Sequence, residues 1–171
     1  MARKIVKYGD PVLERCAEPV TEFNTPELDR LIADMFESMY VAKGVGLAAP
    51  QIGVSKHIAV IDCSVGENEK DQIVLINPRI IRAEGKQNGE EGCLSLPGFR
   101  EQVKRPLRVT VQAQNARGET FELNAEELLA RALLHETEHL NGKLYISHVS
   151  PLKRDLIRRK IRRMMKQGEW P

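Results

Sequence analysis

Two apolar periods alternate along the chain. After Pro26, apolar residues recur every three or four positions: Leu28, Leu31, Ile32, Met35, Phe36 and Met39 share one face of a predicted helix. Asn24 or Thr25 can cap it, Pro26 sits in its first turn, and Glu27 completes a capping box from Asn24. The helix is predicted to end near Lys43-Gly44. Residues 57–62 and 72–77 are short runs rich in β-branched side chains and predict strands, with a polar loop over 64–70 between them. Residues 107–114 alternate strictly, placing Leu107, Val109, Val111 and Ala113 on one face. Asn115-Ala116-Arg117-Gly118 predicts a hairpin turn into a strand over 119–123. A second helix is predicted from a cap at Asn124, with Glu127 three residues on, to Gly142. A short strand over 143–147 and a last helix opened by Pro151 complete the pattern. The class is α+β, with antiparallel sheets around a central helix.

Composition narrows the setting. A chain of 171 residues fits one domain, and at this length about 70% of the unfolded surface becomes buried. A net charge of +2 says little about partners. Three cysteines cannot all pair, so a disulfide framework is not expected and a reducing compartment fits better. Met1-Ala2-Arg3-Lys4 is not followed by an apolar run, so no signal peptide is expected. No stretch of about 20 apolar residues predicts a membrane span.

The chemistry concentrates at His135-Glu136-Thr137-Glu138-His139, an H-E-x-x-H pattern inside the second predicted helix. Residues four apart lie on one helical face, so His135 and His139 can hold one metal ion, and Glu136 can reach a water on that metal. Such a centre makes hydroxide near neutral pH. Glu91-Gly92-Cys93-Leu94-Ser95, in a segment punctuated by Gly89, Gly92, Pro97 and Gly98, predicts a turn. Cys93 is a third ligand candidate, and a thiolate with two imidazoles leaves a fourth position open; that donor set suits Zn(II) and Fe(II). The alternative for Cys93 is a small buried hydrophobe, the role expected of Cys16 and Cys63. Gly44-Val45-Gly46-Leu47-Ala48-Ala49-Pro50-Gln51 predicts a loop that lets backbone approach a ligand; it lacks the pattern of a phosphate-binding loop. Leu128, Ala132, His135 and His139 share a helical face, so an apolar wall, or plain core packing, lies beside the metal.

Taken together and in order, G-x-G-L-A-A-x-Q, E-G-C-L-S and H-E-x-x-H resemble the peptide deformylase family, whose opening Lys7-Tyr8-Gly9-Asp10-Pro11-Val12-Leu13 is also similar. The resemblance implies hydrolysis of the formyl group from N-formylmethionine at the start of nascent polypeptides, releasing formate. It implies Cys93, His135 and His139 as metal ligands and Glu136 as the group that takes the water proton and returns it to the amine. It assigns Gln51, through its side-chain amide, and Leu94, through its backbone N–H, to the oxyanion. Gly46 would present backbone to the peptide, and Val45, Arg100, Leu128 and Ala132 would wall the methionine pocket. One divalent ion per chain is expected, Fe(II) first, with Zn(II), Ni(II) or Co(II) able to substitute. Two positions depart from the family pattern: Leu134 stands where Gln is usual and Glu138 where Asp is usual. Both flank ligands and bear on rate and metal preference rather than on the reaction. Glu91 is either a carboxylate supporting a ligand or a solvated loop acid. His57 and His148 lie near no motif.

The last predicted helix carries Lys153, Arg154, Arg158, Arg159, Lys160, Arg162, Arg163 and Lys166 against one acid, Asp155, with Leu152, Leu156, Ile157, Ile161, Met164 and Met165 as an apolar side. The single sign over residues 151–167 favours a polyanion such as ribosomal RNA over a merely solvated face or an anionic membrane surface. Residues 1–150 are expected to form the catalytic metal-hydrolase unit and 151–171 a basic helical extension of the same domain. A bacterial cytoplasm is the expected location, ahead of an organellar form with its leader removed. Three competing readings remain at this level: a peptidase cutting internal bonds, a non-catalytic binding protein with a structural metal, and an inactive family member.

Overall fold

Every residue from 1 to 171 is described by the computed structural model. The first helix, α1 (Pro26–Val41), starts where Thr25 Oγ1 accepts the Leu28 N–H at 3.1 Å. The cap is therefore Thr25 and not Asn24, which takes a left-handed φ of 56° just before the helix. All six residues of the predicted apolar stripe are buried.

Five strands form one antiparallel sheet in the order β1-β2-β3-β6-β7: β1 (Gly46–Ala48), β2 (Ile58–Ile61), β3 (Ile73–Glu84), β6 (Arg108–Gln114) and β7 (Thr120–Glu126). Side chains alternate across the pleat. Leu47, Ile58, Val60 and Ile76 face α1, whereas Ala48, Ala59, Ile61 and Leu75 face the opposite side. On that second face lies α2 (Glu127–Leu140), packed on Val109, Val111 and Ala113 of β6 through Ala130, Ala132, Leu133 and Leu140. The sheet is thus sandwiched between two helices, each burying one apolar stripe. At about 1.5–3 kcal/mol for each fully buried large apolar side chain, these two layers dominate the favourable side of folding.

A separate two-stranded hairpin, β4 (Gln87–Gly92) with β5 (Arg100–Arg105), stands beside α2 and pairs Gly92 with Arg100. A third apolar cluster joins Val103 of β5 to Tyr145, Ile146 and the last helix, α3 (Pro151–Lys166).

Several sequence expectations need correction. The glycine segment is not all loop: Gly46–Ala48 pairs with β2, and Ala49–Ile52 is a 3-10 turn. Asn124 does not cap α2; it lies in β7, where its Oδ1 accepts from Thr110 Oγ1 at 2.7 Å. Glu126 occupies the cap position without a side-chain bond. The segment expected as a strand over 143–147 contains a 3-10 turn, Tyr145–His148. Cys16 is exposed rather than buried, and Cys63 is half-buried. Of the apolar side expected on α3, only Ile157 and Ile161 are buried; Leu152, Leu156 and Met165 are exposed. The hairpin turn at 115–118 forms as expected, with Gly118 at φ 83° and Asn115 Oδ1 accepting from Arg117 N–H at 2.9 Å. No helix is long and apolar enough to cross a membrane.

Candidate active site

The centre lies between α2, β1 and the end of the β4–β5 hairpin. α2 presents His135, Glu136 and His139 toward β1, all three buried. β4 ends at Gly92, so Cys93 leaves the strand beside the helix. Ligand atoms of Cys93, His135 and His139 all lie within 4.8 Å of one another, and Cys93 Sγ is 3.3 Å from His139 Nε2. A thiolate and two imidazoles at that separation fit one tetrahedral divalent ion with a fourth position open. Burial keeps His139 neutral, with its proton affinity well below the ordinary value, as ligation requires. At His135 burial opposes a charge, but Glu136, Cys93 and Glu91 outweigh it and raise its proton affinity. The surroundings therefore attract a cation.

Glu136 is 4% exposed, and its Oε1 has no hydrogen-bond partner in the protein. An unpartnered buried carboxylate oxygen is costly unless a polar ligand meets it. Burial pushes this carboxyl up to about 7, partly offset by His135, so it can both take and release a proton near neutrality. Gly46 makes room for it: a Cβ there would stand 2.6 Å from Glu136 Oε2.

Glu91 is not a solvated acid. It is 5% exposed, and its Oε1 lies 2.6 Å from His135 Nδ1. The carboxylate accepts, so Nδ1 carries the hydrogen and Nε2 is left for the metal. Burial would raise the Glu91 carboxyl, but His135 and Arg105 hold it down at about 2. Arg105 donates to Oε1 at 2.7 Å and Oε2 at 3.1 Å, and Arg131 to Oε2 at 2.9 Å. Arg105 also reaches Glu138, whose Oε2 is 2.6 Å from His148 Nε2. Glu138 thus carries the buried Arg105–Glu91–His135 network outward to His148, which is exposed and, expected near no motif, ends the chain. Leu134 is half-buried and packs on the apolar cluster beneath α2, without a polar role.

A cavity of about 480 Å³ opens onto the centre. It is lined by Gln51, Leu94, Gly46, Val45, Arg100, Leu128 and Ala132, together with Cys93, His135 and Glu136. All the residues expected around the site are therefore gathered there except His139, which is buried and does not line the cavity. Leu128 is 53% exposed, so it forms the rim rather than a closed wall. Arg100 is also at the rim, paired with Glu90.

Sequence reasoning missed Arg131, Arg105, Ser95 and Phe99. Arg131 precedes His135 by four residues, so helical spacing is the signal that finds it. Ser95 closes the E-G-C-L-S motif, so its position is legible but its role is not; Arg105 and Phe99 reach the site only through the tertiary fold.

A family model described as polypeptide deformylase matches residues 2–155. A peptide deformylase of Acidobacterium capsulatum is 62% identical over 170 residues, covering 99% of each chain. One from Thermodesulfovibrio yellowstonii is 50% identical over 159 residues, covering 93% of this chain and 96% of that protein. The crystal structure of a peptide deformylase from Legionella pneumophila superimposes with a TM-score of 0.90 at 46% identity, covering 100% of both chains.

Proposed function

The chain belongs to the polypeptide deformylase family, and from that premise we propose which of its residues perform the family's reaction. That reaction is removal of the N-formyl group from nascent polypeptides. The gathering of Cys93, His135 and His139 beside the unpartnered carboxylate of Glu136 is the observation that carries the assignment.

Cys93, His135 and His139 hold one divalent ion. When bound, that ion supplies Lewis-acid polarisation and an acidified water. Glu136 takes the proton of the attacking water at its free Oε1 and later gives it to the departing amine. Gln51, through Nε2–H, and Leu94, through its backbone N–H, donate to the oxygen that becomes negative as the formyl carbon turns tetrahedral. Gly46 offers backbone to the peptide, and Val45, Arg100, Leu128 and Ala132 flank the methionine side chain. Glu91 keeps His135 in the tautomer that ligates. Fe(II) is the metal we assign, with Zn(II), Ni(II) and Co(II) as substitutes; the thiolate and imidazole donors support this set.

Residues 1–150 form the catalytic unit and 151–171 an extension of the same domain, a reading supported by the packing of Ile157 and Ile161 on Tyr145 and Ile146. We assign α3 to ribosomal RNA. Arg154 is occupied by the carbonyls of Ile146, Ser147 and Val149, Lys153 pairs with Glu101, Arg159 pairs with Asp155, and Lys160 lies over Phe99. Arg158, Arg162, Arg163 and Lys166 make no ion pair, which supports a phosphate-contacting face. A substrate presented at the ribosome, and relatives from bacteria, support the bacterial cytoplasm as the place of action.

Formate release separates this reading from a peptidase. Metal-loaded protein is offered a formyl-Met-Ala peptide, its acetyl counterpart and casein. Formate from the first, with casein uncut, is expected; casein cleavage without formate would overturn it.

A further inference from the structure

One buried hydroxyl joins the N-terminal segment to the side chain expected to meet the oxyanion. Ser95 is fully buried. Its Oγ–H donates to Val6 O at 2.7 Å, and the same Oγ accepts from Gln51 Nε2 at 3.1 Å. The other end of that amide is held as well: Gln51 Oε1 accepts the Ala48 N–H at 3.0 Å. A primary amide is planar and carries two hydrogens on nitrogen. With Oε1 on Ala48 and one hydrogen on Ser95, the direction of the second hydrogen is determined. It lies on the cavity side, where Nε2 donates to Cys93 Sγ at 3.6 Å. Backbone bonds lock the same three pieces together, from Val6 N–H to Gln51 O at 2.7 Å and from Tyr8 N–H to Ser95 O at 2.8 Å.

We propose that Ser95 is a positioning residue for deformylation: its hydroxyl, itself held by Val6, fixes the Gln51 amide so that its other N–H, resting on Cys93 Sγ at the cavity edge, is placed to meet the forming oxyanion. The inference rests on the reading of Gln51 as an oxyanion donor. Oxyanion stabilisation depends on donors placed before the reaction, so a donor free to swing loses part of its effect without losing its chemistry. Ser95 does not line the cavity; its hydroxyl reaches the site through Gln51, while its own hydrogen is tied to Val6 O. An alanine at this position leaves Gln51 held only by the Ala48 bond and the long contact to Cys93 Sγ.

The test is a double-mutant cycle on the metal-loaded enzyme, with Ser95→Ala, Gln51→Ala and the double variant brought to equal metal content. With a formyl-Met-Ala peptide, Ser95→Ala is expected to lower kcat about tenfold, less than the roughly hundred- to thousandfold typical of losing a whole donor. KM should stay within about twofold of the parent, as for an interaction made in the transition state. In the Gln51→Ala background the serine change should add less than about twofold, because the two residues act as one unit. A second readout needs no turnover. In Zn-loaded protein the two Gln51 side-chain amide proton resonances, identified by their loss in Gln51→Ala, should be separate and slow to exchange in the parent. In Ser95→Ala they should exchange faster. Parent-like kcat in Ser95→Ala, or a serine effect that persists undiminished in the Gln51→Ala background, would overturn the inference. Full activity in Gln51→Ala would remove the donor reading itself, a different and distinguishable failure. Where Ser95→Ala does not fold, Ser95→Cys keeps a donor for Val6 O while weakening the acceptor for Gln51, and the same cycle decides.

Discussion

Arg105 is the residue whose loss the structure predicts to be felt most broadly. Its side chain is 3% exposed and sits between two carboxylates. It donates to both oxygens of Glu91 and also to Glu138. Arg105→Met keeps the apolar stem and removes the charge, leaving buried Glu91 and half-buried Glu138 short of a cation. Breaking a buried ion pair from one side typically costs about 3–5 kcal/mol. The lower end applies, about 3 kcal/mol, because Glu91 keeps Arg131 at 2.9 Å and Glu138 keeps His148 at 2.6 Å. Glu91 also orients His135, so the change reaches the metal, and affinity should fall about ten- to a hundredfold. Urea unfolding of parent and variant, each stripped of metal, isolates the first effect. With a slope of about 2 kcal/mol per molar, the midpoint should move down by about 1.5 M. Chelator competition measures the second. Arg105→Lys restores charge without the two-pronged geometry and should recover only part of each loss. A midpoint within about 0.3 M of the parent, with unchanged metal affinity, would refute the claim that this ion-pair chain supports the centre.

Gly46→Ala brings a methyl to 2.6 Å from Glu136 Oε2, so kcat should fall at least about tenfold while metal content is unchanged; parent-like turnover would show that Glu136 has slack the structure does not reveal. Cys93→Ser replaces the soft ligand by a hydroxyl, and equilibrium dialysis should show metal retention falling by at least about a hundredfold. Replacing Arg158, Arg162, Arg163 and Lys166 together by alanine should abolish salt-sensitive co-sedimentation with ribosomes, yet leave kcat/KM on a short formyl peptide within about twofold. Co-sedimentation that survives would remove α3 from the contact.

The parts legible in the sequence are those whose pattern is periodic. The stripe of α1, the alternation of β6 and the spacing of His135 and His139 each follow from a local period and need no tertiary information. The β4–β5 hairpin is opaque because two of its inward positions carry charge: Glu91 and Arg105 are buried through ion pairs with each other and with Arg131, His135 and Glu138. A pattern of apolar residues cannot announce a strand whose buried face is partly ionic. Asn124 illustrates the opposite failure. It has the composition of a cap and Glu127 at capping-box distance, but β7 runs through it to Glu126 and its side chain serves the ladder. His148 carries no local signal, and Ser95, though it closes the E-G-C-L-S motif, gives no hint of its role, because their partners, Glu138 and Gln51, are brought to them by the fold.

The most direct test of the account is formate release by protein loaded anaerobically with Fe(II), beside Glu136→Ala carrying the same metal content. Deletion of a general base typically costs about a hundred- to ten-thousandfold. Rapid formate release by the parent, with a loss of that order in the variant at equal metal, is the expected result. Comparable rates from the two proteins would contradict the assignment of proton transfer to Glu136 and, with it, the chemistry built on this site.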